Sequence, residues 1–187
     1  MINLDDTVLA VVDMQYGFVS PASAHVVPLA SKFIREWAAT GRPYVMTRWY
    51  NTPDSLFERL FNYDIIHKDS HEFEIVDELK DLTDGAVTVL DKPTYSLFSD
   101  EGAALVAEHG WRQMIVIGLD TESCVLKTAV DAFEAGIVPF VVTDLTYSHA
   151  GDEAHNAGLL VAGRFIGRRQ LVRAADVLSD ATVEATA

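Results

Sequence analysis

The chain is poor in cysteine, in positive charge and in long apolar runs. Among its 187 residues there is one cysteine, Cys124, so no internal disulfide can form and stability must come from a packed core. Lysine and arginine number 14 against 28 aspartates and glutamates, a formal net charge of -14. Such a surface repels phosphate backbones and anionic lipid, which argues against nucleic-acid and membrane-surface partners and leaves a small-molecule partner. No apolar stretch approaches the roughly 18 to 20 residues that cross a bilayer. The opening run Met1-Ile2-Asn3-Leu4-Asp5-Asp6 lacks the basic and apolar segments of a secretory signal, so the cytoplasm is the expected location. The first turn, Asp13-Met14-Gln15-Tyr16-Gly17-Phe18, lacks the glycine spacing that admits a pyrophosphate, which excludes dinucleotide binding there. No internal repeat or low-complexity stretch is present.

What the chain does have is a 49% apolar share, enough for one domain with a substantial core over residues 1–187, with a frayed tail expected at 178–187. Short β-branched runs alternate with stretches of helical period, the signature of βαβ units around a parallel sheet. Strands are predicted over residues 8–12, 43–47, 86–90, 114–117 and 137–142, with a weaker sixth over 170–173. A helix with Pro28 in its first turn places Leu29, Phe33 and Trp37 on one face and stops at Gly41. Ser99 is placed to cap a helix ending at Gly110. A helical run over 124–135 carries an apolar stripe of Val125, Leu126, Ala129, Val130 and Phe133 ahead of Gly136. Residues 49–83 break the alternation. They are long, aromatic and acidic, and form either a pocket wall or a surface insertion, with Trp49, Phe57, Phe61 and Tyr63 the contributors to a wall.

Three polar residues follow apolar runs: Asp13 after the first, Lys92 after the third and Cys124 after the fourth. Each has a plain reading alone, since an Asp there caps a helix, a Lys is solvated and a Cys is an inert small hydrophobe. Together they place an acid, an amine and a thiol at the carboxyl ends of strands, where open α/β sheets bind ligands. The first N–H groups of a helix would favour a thiolate at Cys124.

Val11-Val12-Asp13-Met14-Gln15 with Phe18, then Asp91-Lys92-Pro93-Thr94-Tyr95-Ser96-Leu97-Phe98, then Gly118-Leu119-Asp120-Thr121-Glu122-Ser123-Cys124-Val125 resemble the motifs of isochorismatase-like cysteine hydrolases. That family includes nicotinamidases and N-carbamoyl amide hydrolases. The resemblance implies a three-layer α/β/α fold, a doubly wound six-stranded parallel sheet of order 3-2-1-4-5-6. It implies a catalytic triad of Asp13, Lys92 and Cys124 that hydrolyses a small amide or carbamoyl compound through a thioester, without an organic cofactor. In such a site Lys92 keeps Asp13 ionised and favours the thiolate against the field of Asp120, Glu122 and Asp13. The backbone N–H groups of Asp120 and Cys124 would hold the oxyanion, beside a cis peptide between Leu119 and Asp120. That reading holds if Ser123 caps the helix and weakens if the Thr121 hydroxyl occupies the Cys124 N–H. Phe18, Trp49, Phe57 and Tyr95 are expected in the substrate pocket, with Phe98 within reach of it.

Departures from the pattern bear on substrate and metal. Metal-dependent nicotinamidases carry an Asp-x-His pair where this chain reads Arg48-Trp49-Tyr50. His67-Lys68-Asp69-Ser70-His71 is a late substitute, read as a solvated loop, so no metal site is expected. Arg48 either anchors a substrate carboxylate or makes a structural ion pair. Asp120 replaces the small residue usual in relatives. His25, His109, His149 and His155 have no paired spacing and read as structural or surface residues. Relatives are commonly oligomers, so a homo-oligomer built on exposed apolar helix faces is expected. Two other functions use the same fold: vinyl ether hydrolysis of the isochorismatase type, which needs no thiol, and a non-catalytic binding module.

Overall fold

β-Branched and aliphatic runs form the strands of the sheet in the computed structural model, which describes residue 2 and residues 4–177; the tail expected at 178–187 lies outside the described residues. The strands are β1 (Thr7–Val12), β2 (Tyr44–Trp49), β3 (Thr88–Lys92), β4 (Gln113–Leu119), β5 (Val138–Tyr147) and β6 (Leu171–Val172). They lie parallel in the order β3-β2-β1-β4-β5-β6, as expected. The connections carry α1 (Val26–Ala39), α2 (Leu56–Phe61), α3 (Asp77–Lys80), α4 (Asp100–His109), α5 (Leu126–Glu134) and α6 (Asp152–Ala162).

All six residues of β1 are buried, and their alternation feeds two cores. Leu9 and Val11 pack with Met46, Ile115, Ile117 and the Phe33, Ile34 and Trp37 side chains of α1. Val8, Ala10 and Val12 pack with Val45, Val116, Val106 of α4 and Ala129 and Ala132 of α5. Each such aliphatic side chain removed from water contributes about 1.5–3 kcal/mol. Ser99 caps α4 by accepting from the Gly102 N–H at 3.2 Å, and Gly110 ends it in the left-handed region at φ 67°.

The helix faces are rotated from those expected. The buried side of α1 is Val26, Val27, Ala30, Phe33, Ile34 and Trp37, whereas Leu29 is 48% exposed. Leu29 lies about 100° around the helix from Ala30, off the buried stripe. Likewise α5 buries Thr128, Ala129 and Ala132, and Phe133 is 53% exposed. Small residues bring α5 close to the sheet, and the larger ones flank the contact.

β5 runs five residues beyond the expected end at 142, with a register shift against β4 between Val116 and Gly118. Its polar residues are satisfied at the sheet edge, where Asp144 accepts from the Ala174 N–H at 2.9 Å and Thr143 donates to the Val172 carbonyl at 3.1 Å. α6 has no counterpart among the expected elements. It buries His155, Gly158 and Ala162 instead of an aliphatic stripe, because it packs on another backbone. A Cβ at Gly158 would sit 2.7 Å from the Glu122 nitrogen.

Candidate active site

β1 delivers Asp13 to the carboxyl rim of the sheet in a left-handed conformation, φ 48°, that few residues other than Asn, Asp and Gly adopt. Both carboxylate oxygens are occupied. The Thr47 hydroxyl donates to Oδ1 at 2.6 Å while accepting from the Asp13 N–H at 3.2 Å. Lys92 Nζ donates to Oδ2 at 2.7 Å, and to the carbonyls of Thr94 and Tyr95 at 3.1 and 2.9 Å. Lys92 ends β3, two strands from β1, a separation of roughly 10 Å that its long side chain spans. Neither side chain of the pair is exposed at all.

Cys124 sits on the first turn beyond β4, 4% exposed. Helical backbone begins earlier than expected there, as a π-helical turn over Thr121–Val125 that leads directly into α5. Neither proposed capping arrangement occurs. Asp120 is the residue ahead of the turn, and the Thr121 hydroxyl is committed to Thr146 Oγ1 at 3.1 Å and His155 Nδ1 at 2.8 Å. The N–H groups of Ser123 and Val125 both donate to the Asp120 carbonyl, so they are not the pair expected to meet an oxyanion. The Leu119 to Asp120 peptide is cis. Burial pushes the Cys124 thiol well above its usual range; Lys92 opposes the shift, while Asp13, which hydrogen-bonds the thiol, and Asp120 add to it. Lys92 thus acts in the expected direction, while burial, the largest influence on the thiol, acts against it.

Above these residues lies a cavity of about 280 Å³. Phe18, Trp49, Phe57 and Tyr95 line it, together with Phe61 and Tyr63. The rings meet edge to face, with centroids 4.9 Å apart for Trp49 and Phe57 and 5.2 Å for Phe57 and Tyr95. Burial holds the Tyr63 phenol protonated, its pKa pushed up to about 12. Phe98 packs against the core cluster that includes Leu97 and Val125 and does not line the cavity. Gln15 fixes the wall to the sheet: its carboxamide donates to the Trp49 and Phe73 carbonyls at 2.9 and 2.8 Å and accepts from the Trp49 N–H at 2.7 Å.

Asp120, Glu122, Ser123 and His149 complete the lining. His149 is an exposed, ion-paired residue, as its lack of paired spacing suggested, and it also lines the cavity. Its backbone N–H donates to Asp120 Oδ1 at 2.9 Å and its Nδ1 pairs with Oδ2. That contact raises the His149 pKa against the opposing effect of partial burial. The signal for His149 was the true length of β5, which places it at the same rim as Asp13 and Cys124. Glu122 Oε1 accepts from the Ser148 hydroxyl at 2.7 Å; its Oε2, and the Trp49 indole Nε1, are buried with no partner among the described residues.

Arg48 is a structural cation. Its Nε donates to Asp91 Oδ1 at 2.7 Å, its guanidinium lies 4.3 Å from the Phe73 ring centre, and it does not line the cavity. His67 and His71 are drawn apart, His67 to Asp64 at 2.9 Å and His71 onto the Tyr16 ring at 4.1 Å. His67 instead joins Glu58 and Asp64, whose ligand atoms and its own lie within 4.8 Å of one another, away from His71.

The profile of the isochorismatase domain matches residues 7–165. The chain is 30% identical over 159 residues to nicotinamidase 3 of Arabidopsis thaliana, covering 81% of this chain and 78% of that protein. It superposes on N-carbamoylsarcosine amidase from Thermoplasma acidophilum with a TM-score of 0.73 at 26% identity, over 84% of this chain and 92% of that one. A cysteine hydrolase from Pseudomonas syringae pv. phaseolicola shares the fold, with a TM-score of 0.84 at 19% identity over 97% and 95% of the two chains.

Proposed function

This chain belongs to the isochorismatase domain family, and from that premise we propose that it hydrolyses a small amide or carbamoyl compound through a thioester on Cys124. The observation that carries the reading is the meeting of Asp13, Lys92 and Cys124 beneath one aromatic cavity. The names of the relatives, a nicotinamidase and an N-carbamoylsarcosine amidase, support an amide substrate.

In this reaction Asp13 takes the thiol proton as the sulfur attacks the carbonyl carbon, so the anion exists only as the S–C bond forms. The raised thiol pKa agrees with such a concerted transfer. The carbonyl oxygen becomes an oxyanion facing the backbone N–H groups of Asp120 and Cys124; one such donor is worth roughly 2.7 to 4 kcal/mol of barrier. Collapse breaks the C–N bond as Asp13 returns the proton to the leaving nitrogen. Water, deprotonated by the same carboxylate, then cleaves the thioester to give the acid and restore the thiol. Lys92 holds one oxygen of the Asp13 carboxyl in place throughout, and Thr47 holds the other.

The test is intact mass after incubation with a panel of small amides. An acyl group is expected on Cys124 of the wild type and not on Asp13→Ala or Lys92→Ala. Adducts indifferent to both substitutions remove the triad from the mechanism. Pyruvate release from isochorismate that survives Cys124→Ala replaces amide hydrolysis with vinyl ether cleavage.

A further inference from the structure

The charges around the cavity do not balance. Its ionisable lining residues are Asp120, Glu122, Cys124, Tyr63, Tyr95 and His149, with no lysine or arginine among them. Asp120 and His149 are spent on each other. Lys92, the nearest ammonium, gives its three donors to Asp13 and two carbonyls. Glu122 remains, with one oxygen on Ser148 and the other buried and unmatched. Trp49, Phe57 and Tyr95 line the same cavity, and aromatic rings attract cations. An anionic group brought here would meet a carboxylate and ring faces in a site of low polarity, where like charges repel most strongly.

We propose that the cavity selects amides whose remote group is a cation, an ammonium or protonated amine, held between the Glu122 carboxylate and the rings of Trp49, Phe57 and Tyr95. The inference rests on the reading of this cavity as the amide site, and adds the charge of the substrate to it. Glu122 is here the residue that decides specificity.

Binding to the Cys124→Ala protein tests this without turnover. Three ligands of matched shape, para-aminomethylbenzamide, para-methylbenzamide and para-carbamoylbenzoate, are titrated by calorimetry near neutral pH. The cation is expected to bind at least about tenfold more tightly than the anion, with the neutral compound between them. Glu122→Gln in the same background is expected to shrink that ratio about fivefold. Equal or tighter binding of the anion, no binding of any of the three, or a ratio unmoved by Glu122→Gln overturns the proposal. Preferential binding of the cation without acylation of Cys124 in the wild type supports the charge selection and overturns the hydrolase reading instead.

Discussion

A carboxylate and an ammonium that are both withdrawn from water stabilise the fold only as a couple. Lys92→Met strands the Asp13 charge in the interior, and the expected loss is about 3–5 kcal/mol in urea unfolding, with acylation of Cys124 abolished. The double variant Asp13→Asn, Lys92→Met removes both charges and is expected to regain most of that stability without regaining acylation. Recovery of acylation in the double variant would make the pair structural only. Thr47→Val removes the hydroxyl that donates to Asp13 Oδ1. A hydrogen bond to a charged group is worth about 1.5–3 kcal/mol, and the variant is expected to lose stability on that scale and to acylate more slowly. Asp13, Lys92 and Cys124 could be placed from the sequence because each interrupts the end of an apolar run. Thr47 and Gln15 could not, since a hydroxyl inside a strand and a carboxamide in a turn reveal their partners only when distant segments meet. The push of burial on the Cys124 thiol was hidden for a related reason, since burial is a property of the packed molecule.

Among the elements, the turn that carries Cys124 is held from two sides by glycine. Gly118 has φ 112°, and a Cβ there would lie 2.1 Å from the Val12 carbonyl oxygen, so β4 can approach β1 only without a side chain. Gly118→Ala is expected to cost about 3 kcal/mol or more, read as a lowered urea midpoint. Gly158 does the same for α6, whose backbone lies against Thr121 and Glu122. The far ends of the elements were hard to see for this reason. α6 carries no broad aliphatic stripe because it docks through Gly158 and Ala162, and β5 extends through Thr143 and Asp144, polar residues past the end of its apolar run. Strands and helices that bury ordinary apolar faces, β1, α1 and α4 among them, were visible within a few residues. The sheet order was not in the periodicity at all; it came from the motifs.

For the molecule as a whole, the marked excess of acid makes pH a sensitive probe, and His149 is where its sign can be read. Its folded pKa is raised above the usual 6.5 by Asp120. The Asp120 and His149 pair therefore contributes its full stability below the unfolded value and loses it as pH rises through the folded one. The difference in urea midpoint between wild type and His149→Gln is expected to be larger at about pH 5.5 than at about pH 8.5. A difference that grows toward high pH contradicts the ion pair. No helix among the described residues is long and apolar enough to cross a membrane, and the sheet of six parallel strands with its family match was the part of the architecture best foreseen. One further property follows from the route of the chain. Trp49, Phe57, Phe61 and Tyr63 come from a single contiguous stretch that starts at the last residue of β2 and runs toward β3, pinned at Gln15, whereas Asp13, Lys92 and Cys124 follow or end three separate strands. Grafting that one stretch from a relative would reshape the aromatic wall while the reacting groups, and Glu122 on the turn that bears Cys124, stay where they are, so apolar fit and charge preference can diverge by independent routes.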